Sequence, residues 1–206
     1  ESVEEPHYRM VLKSAVSAAG NLWKRPGRPF CWSPQTEEEK EMAQGTQLER
    51  LIERYPVLDA CREEIQRAYE LLKETYEKKG MLLVCGNGGS GADSEHIVGE
   101  LMKEVAIRRP LSDEMKAKLC EVSPEYGKLL GEHLQGSLPA IPLTGNIALS
   151  TAFANDAVPE LVFAQQVYGY GDENSALLGI STSGNSQNVI YAIETAKAKG
   201  MATIGL

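Results

Sequence analysis

Two short stretches carry side chains whose types and spacing could do chemistry. In the first, Met81 to Lys103 (MLLVCGNGGSGADSEHIVGELMK), an apolar run of strand length passes through a glycine turn into a helical pattern. That helix carries His96 and Glu100, four residues apart and so on one face. The spacing suits two metal ligands, or a general base with a polar neighbour; the plain alternative is a solvated helix face. Because the pair lies within two turns of the glycine loop, on the element that would floor a ligand pocket, the functional reading is preferred. In the second stretch, Ser181, Thr182, Ser183, Gly184, Asn185 and Ser186 follow the apolar ALLGI and open the next helical run. One such residue suffices to cap a helix. Four hydroxyls beside helix-start amides form a neutral cradle suited to a phosphate monoester, with no need of Arg or Lys.

Gly86, Gly88 and Gly91 also fit GxGxxG, the dinucleotide fingerprint. A Rossmann unit wants an acidic residue at the end of the next strand, and the next strand that can be placed ends in LTGN, which disfavours a dinucleotide. No Lys follows the glycines, so a Walker loop is excluded. Asn155 and Asp156, in FANDAV just past a helical run, could bond sugar hydroxyls, but on spacing alone they read as a cap for a helix starting near Val158. His133 reads as surface.

These residues need elements to hold them. Residues 1–35 read as an N-terminal extension, with a short helix over Tyr8 to Leu22 and then KRPGRPFCWSPQ, whose prolines forbid regular structure. Thr36 followed by three glutamates opens a helix towards Tyr55, broken by Pro56; a second helix carries Leu58, Cys61, Ile65, Ala68 and Leu72 on one stripe and is ended by Gly80. These two helices could cover the sheet or build a subunit interface. Strands are expected at Met81 to Cys85, Ala140 to Thr144, Ala176 to Ser181 and Met201 to Leu206. Helices are expected at Ser90 to Lys103, Asn146 to Phe153, Ala157 to Tyr168 and Ser186 to Lys199, with one or two short surface helices in a charged insertion at about 105–139. Alternating strands and helices predict an α/β fold with a parallel, doubly wound sheet.

The chain has 206 residues, is 42% hydrophobic and carries a formal net charge of -8, so one sizeable core is expected and no broad surface for nucleic acid or an anionic membrane. Cys31, Cys61, Cys85 and Cys120 are scattered without CxxC spacing, which points to reduced thiols and a cytoplasmic location. No run approaches membrane-spanning length, and the N-terminus is acidic where a signal peptide would be basic.

CGNGGSGADSEHIVGEL, FANDA and LLGISTSGNSQNVIYAIETAKAKGMATIGL together resemble the sugar isomerase (SIS) family, nearest to its bacterial phosphoheptose isomerases, over roughly residues 48 to 206. The resemblance implies a flavodoxin-like α/β SIS domain over 36–206 and an isomerase that converts sedoheptulose 7-phosphate to D-glycero-D-manno-heptose 7-phosphate. It implies that Asn87, Gly88 and Gly89 contact the sugar, Asn155 and Asp156 its hydroxyls, and Ser181, Thr182, Ser183 and Ser186 its phosphate. Glu100 would be the catalytic base, His96 and Glu100 ligands of a zinc ion, and the assembly a homotetramer with sites between subunits. Family members continue past the equivalent of MATIGL with a strand and a helix bearing a Gln and a His that complete the metal and acid/base set. On that basis the domain is expected to be C-terminally incomplete, to bind a sugar phosphate poorly and not to turn it over. The rival readings are a non-enzymatic SIS phosphosugar-binding module, a replication-initiator-associating protein, and a lyase or isomerase of hexosamine phosphates.

Overall fold

The structure is a computed structural model that describes residues 47–105 and 107–206. The expected extension over 1–35 and the start of the helix opened by Thr36 lie outside the described residues. Residues 47–54 are helical and stop before Pro56, which lacks the N–H a helix interior requires. Pro56–Cys61 forms a 3-10 turn and Arg62–Glu77 the helix α1. The expected second helix thus begins later than its apolar stripe, because Pro56 favours the tighter turn.

The sheet has four parallel strands in the order β2-β1-β3-β4, where β1 is Leu82–Gly86, β2 Ala140–Pro142, β3 Ala176–Ile180 and β4 Ala202–Gly205. Leu82 is in register with Ala140 on one side and Ala176 on the other, and Ala176 in turn with Ala202. Successive side chains along a strand point to opposite faces, and here both faces are buried. On one, Leu83, Cys85 and Leu177 pack with Phe163 and Val167 of α6 (Val162–Tyr170) and with Val189, Ala192 and Ala196 of α7 (Gln187–Ala198). On the other, Leu82, Val84, Ala176 and Ile180 meet Val98 of α2 (Gly89–Met102), with Leu72 and Tyr76 of α1 packed against them. The sheet is therefore doubly wound, and α1 covers it. Each fully buried leucine, Leu82, Leu83 and Leu177 among them, contributes about 1.5–3 kcal/mol before the entropy of ordering it is counted.

The insertion is a helical hairpin, α3 (Asp113–Val122) and α4 (Gly127–His133), closed at its neck by a bridge between Pro110 and Gln135. The Arg109 guanidinium donates to the carbonyls of Leu101 and Lys103, neutralising the carbonyl end of α2, and the Leu138 N–H donates to Leu101 O at 3.0 Å. Gly127 lets the hairpin helices touch: a Cβ there would lie 2.4 Å from the Cys120 backbone. Three further boundaries shift. β2 ends at Pro142, helix α5 runs Ile147–Asp156, and Pro159–Leu161 is a 3-10 turn ahead of α6. His133 is exposed, as expected.

The turn that ends α1 reverses an expectation. The Lys79 N–H donates to Tyr76 O and the Gly80 N–H to Thr75 O, the two bonds of a Schellman motif, so the left-handed position is Lys79, at φ 60°, and not Gly80. Gly80 has a different role: a Cβ on it would fall 1.9 Å from Asn174 O. Lys79→Gly is expected to stabilise the protein by about 1 kcal/mol by relieving the left-handed strain. Gly80→Ala is expected to destabilise it by about 1–3 kcal/mol, since backbone has to move. Urea denaturation of the two variants checks both signs; a stabilising Gly80→Ala would show that the approach to Asn174 is not a constraint.

Candidate functional site

From β1 the chain goes through α2 on one face of the sheet to β2, and from β3 through α7 on the opposite face to β4. The departure point lies between the carboxyl ends of β1 and β3, the switch point at which open α/β sheets bind ligands. Both chemistry-bearing loops leave from there. At the first, Gly88 takes φ 56° and ψ -120°, open only to glycine, and a Cβ on Gly86 would sit 2.7 Å from Ser90 O. Cys85, just before this turn, is no nucleophile: it is buried completely, and burial pushes its thiol up to about 12.

The second loop is a hydroxyl cluster. Ser181 Oγ donates to Ser186 Oγ at 3.0 Å and stands 3.5 Å from Ser183 Oγ, and Ser183 Oγ accepts from the Asn185 N–H at 3.2 Å. Gly184, at φ 67°, makes the turn, and Ser181 N–H donates to Leu206 O at 2.7 Å, anchoring the base of the loop to the end of β4. Ser186 is the N-cap residue of α7, yet its side chain makes no capping bond. Helix capping by Ser186 therefore does not account for the hydroxyls, and the first two amides of α7, those of Gln187 and Asn188, have no intrahelical acceptor, whereas the Val189 N–H donates to Ser186 O and Asn188 Oδ1. The structure brings the hydroxyls of Ser181, Ser183 and Ser186 together at the start of α7, a set of donors of the kind that can receive an anion.

A reciprocal amide pair joins the loops. Asn87 Nδ2 donates to Asn188 Oδ1 at 2.8 Å, and Asn188 Nδ2 donates to Asn87 Oδ1 at 2.8 Å. Asn188 belongs to the first turn of α7 and was missed in the sequence, where only its place one turn beyond the Ser loop signalled it. Beside the pair opens a cleft of about 520 Å³, walled by the glycine turn, by Gly91, Ala92 and Glu95 of α2, by Thr144 after β2 and by Ser150 of α5.

His96 and Glu100 are not among the residues lining this cleft. Adjacent helical residues point about 100° apart, so Glu95 facing the cleft turns His96 onto the neighbouring face of α2. His96 Nε2 and Glu100 Oε1 lie 3.9 Å apart, their side chains 70% and 39% exposed, with Lys103 Nζ at 3.5 Å from the same carboxylate oxygen. Among the described residues no group of three or more His, Cys, Asp and Glu could hold a metal. Asn155 and Asp156 lie in the last turn of α5, with Asn155 Nδ2 donating to Asp156 Oδ1 at 2.8 Å, so they cap no following helix. The α5 pattern continues through both residues because nothing before Ala157 breaks it. They too are exposed and outside the cleft lining.

A doubly wound parallel sheet with a glycine turn and a hydroxyl-rich loop at its switch point defines an α/β domain of the kind that binds ligands there. The pattern of the SIS domain matches residues 46–118 and 117–206, and the chain belongs to that family. It is 37% identical over 149 residues to the phosphoheptose isomerase of Helicobacter pylori (strain P12), covering 72% of this chain and 64% of that protein. To the phosphoheptose isomerase of Pelodictyon phaeoclathratiforme it is 40% identical over 136 residues, covering 66% of this chain and 53% of the relative. The structure of phosphoheptose isomerase GmhA from Neisseria gonorrhoeae superposes with a TM-score of 0.52 at 29% identity, over 82% of this chain and 74% of that one. The chain thus spans less than two thirds of the length of the curated relatives it matches.

The cradle makes a direct prediction. Ser183→Ala combined with Ser186→Ala is expected to weaken binding of inorganic phosphate and of phosphosugars, each lost bond to a charged group costing about 1.5–3 kcal/mol. Titration calorimetry checks it, and an unchanged affinity would remove this loop from the site.

Proposed function

We propose that the protein is an aldose–ketose isomerase of a phosphosugar, with sedoheptulose 7-phosphate as substrate and D-glycero-D-manno-heptose 7-phosphate as product. The observation that carries this reading is the hydroxyl cradle of Ser181, Ser183 and Ser186, free of capping duty and set at the switch point beside a cleft of sugar size. Family membership, and the names of the relatives, support it. In this reading the Ser181 to Ser186 loop, with Thr182, holds the phosphate, and Asn87, Gly88 and Gly89 contact the sugar. Glu100 removes the proton from the carbon beside the carbonyl; that electron pair forms the double bond of an enediol while the carbonyl π pair moves to its oxygen, which takes up a proton. The carbon-bound proton then returns to the former carbonyl carbon as the neighbouring hydroxyl gives up its proton and becomes the new carbonyl.

His96 and Glu100 would hold a zinc ion. Their 3.9 Å separation and exposed, rotatable side chains fit two donors of a four-donor set, with the remaining donors coming from outside the described residues. When bound, such an ion would stabilise negative charge developing on the substrate oxygen. The assembly we propose is a homotetramer with sites shared between subunits. The exposure of His96, Glu100, Asn155 and Asp156 outside their own chain's cleft supports that sharing. A cytoplasmic location is supported by Cys61, Cys85 and Cys120 all being free thiols. No helix among the described residues is long and apolar enough to cross a membrane.

The same exposure of Glu100 favours a second reading, a phosphosugar-binding module without catalysis. One experiment separates the two. In a version of the protein extended to the length of its relatives, solvent deuterium is expected to enter bound sedoheptulose 7-phosphate. Glu100→Gln, which keeps the shape, is expected to abolish that incorporation while leaving binding within a few-fold. Exchange retained in the variant would move the base elsewhere, and binding without exchange in the unsubstituted protein would establish the binding module.

A further inference from the structure

Within the cleft Glu95 has a setting that neither its surface position nor its charge explains. Its Oε1 accepts a hydrogen bond from Thr144 Oγ1 at 3.0 Å, and among the described residues it forms no ion pair. Thr144 is itself held firmly. The preceding Leu143 is completely buried, its N–H donates to Val84 O at 2.8 Å, and its carbonyl accepts from the buried Gln166 Nε2 at 2.8 Å. Gly91 allows Thr144 to approach α2: a Cβ there would lie 3.3 Å from Thr144 Cγ2. The carboxylate is thus fixed at one oxygen by a rigid turn and faces open space with the rest of its acceptor capacity.

We infer that Glu95, oriented by Thr144, is a specificity-determining residue that accepts hydrogen bonds from hydroxyls of the sugar chain. The inference rests on the phosphosugar reading and adds its polyol end. The phosphate occupies the Ser181 to Ser186 cradle. The carbon chain passes the Asn87–Asn188 pair, which belongs to both loop and cleft, and its hydroxyls meet the walls of the cleft at Glu95. A carboxylate accepts but does not donate, so this subsite selects polyhydroxylated phosphosugars over short or deoxygenated ones and repels a second anionic group. The geometry of α2 separates this role from that of His96 and Glu100, which share another face of the helix.

The test titrates a version of the protein extended to the length of its relatives with inorganic phosphate and with sedoheptulose 7-phosphate, unsubstituted and as Glu95→Ala, Glu95→Gln and Thr144→Val. The expected result is a loss of about tenfold or more in phosphosugar affinity for Glu95→Ala at unchanged phosphate affinity, the scale of one hydrogen bond to a charged acceptor. Glu95→Gln, which keeps one acceptor oxygen, falls between, and Thr144→Val lowers phosphosugar affinity by a few-fold through loss of orientation. Glu95→Ala with unchanged phosphosugar affinity overturns the inference and leaves the phosphosugar reading standing. Equal losses for both ligands together with a lowered melting temperature also overturn it, by showing the Glu95–Thr144 bond to be structural. Binding of neither ligand by the unsubstituted protein overturns the phosphosugar reading and this inference with it.

Discussion

Everything near the site depends on β1 being buried on both faces and hydrogen-bonded on both edges. A strand in that position cannot bend aside, so the chain must turn into α2 within a few residues of Val84, and the space above the strand end sets which residues can do it. Gly86 is required because α2 returns so closely that a Cβ there would lie 2.7 Å from Ser90 O. Gly88 is required because the turn needs a positive φ. The resulting N-terminus of α2 lies beside that of α7, and the Asn87–Asn188 amides meet between them.

In the function we propose, this arrangement would let a chain of net charge -8 hold an anion without a basic side chain. The free amides at the start of α7 carry partial positive charge, and the hydroxyls of Ser181, Ser183 and Ser186 add donors that rotate to suit the ligand. Phosphate held this way is recognised by directional bonds more than by long-range attraction. Polyanions would gain nothing from the rest of the acidic surface, which agrees with the small phosphorylated ligand we propose.

Local periodicity made much of this legible in the sequence. Met81 to Cys85 and Ala176 to Ser181 read as strands because parallel strands buried on both faces are continuously apolar, and the helix expected over Ser186 to Lys199 matches α7. What failed did so where tertiary contacts overrule local signals. Gly80 resembled a left-handed cap, but close approach to Asn174 explains it and Lys79 carries the strain. Asn155 and Asp156 resembled a cap for the next helix, but α5 absorbs them. Glu95, Thr144 and Asn188 carried no motif, because a cleft is made by the packing of elements distant in sequence, and one polar residue in a helix has no periodicity to mark it.

The helix α2 connects these observations. It has 3.6 residues per turn, so a single helix cannot turn residues 95 and 96 towards one cavity. Gly91, Ala92 and Glu95 wall the cleft of their own chain, while His96, Glu100 and Lys103 share the next face and look outward. A phosphosugar bound by this chain's Ser loop and glycine turn is therefore within direct reach of the first face. For the second face to act on the same molecule, α2 has to border a boundary with further protein, where an exposed carboxylate and imidazole become enclosed and water is excluded. In the proposed function the division of α2 into two faces would link catalysis by Glu100 to assembly, whereas recognition at the Ser loop and Glu95 would need only the fold of one chain.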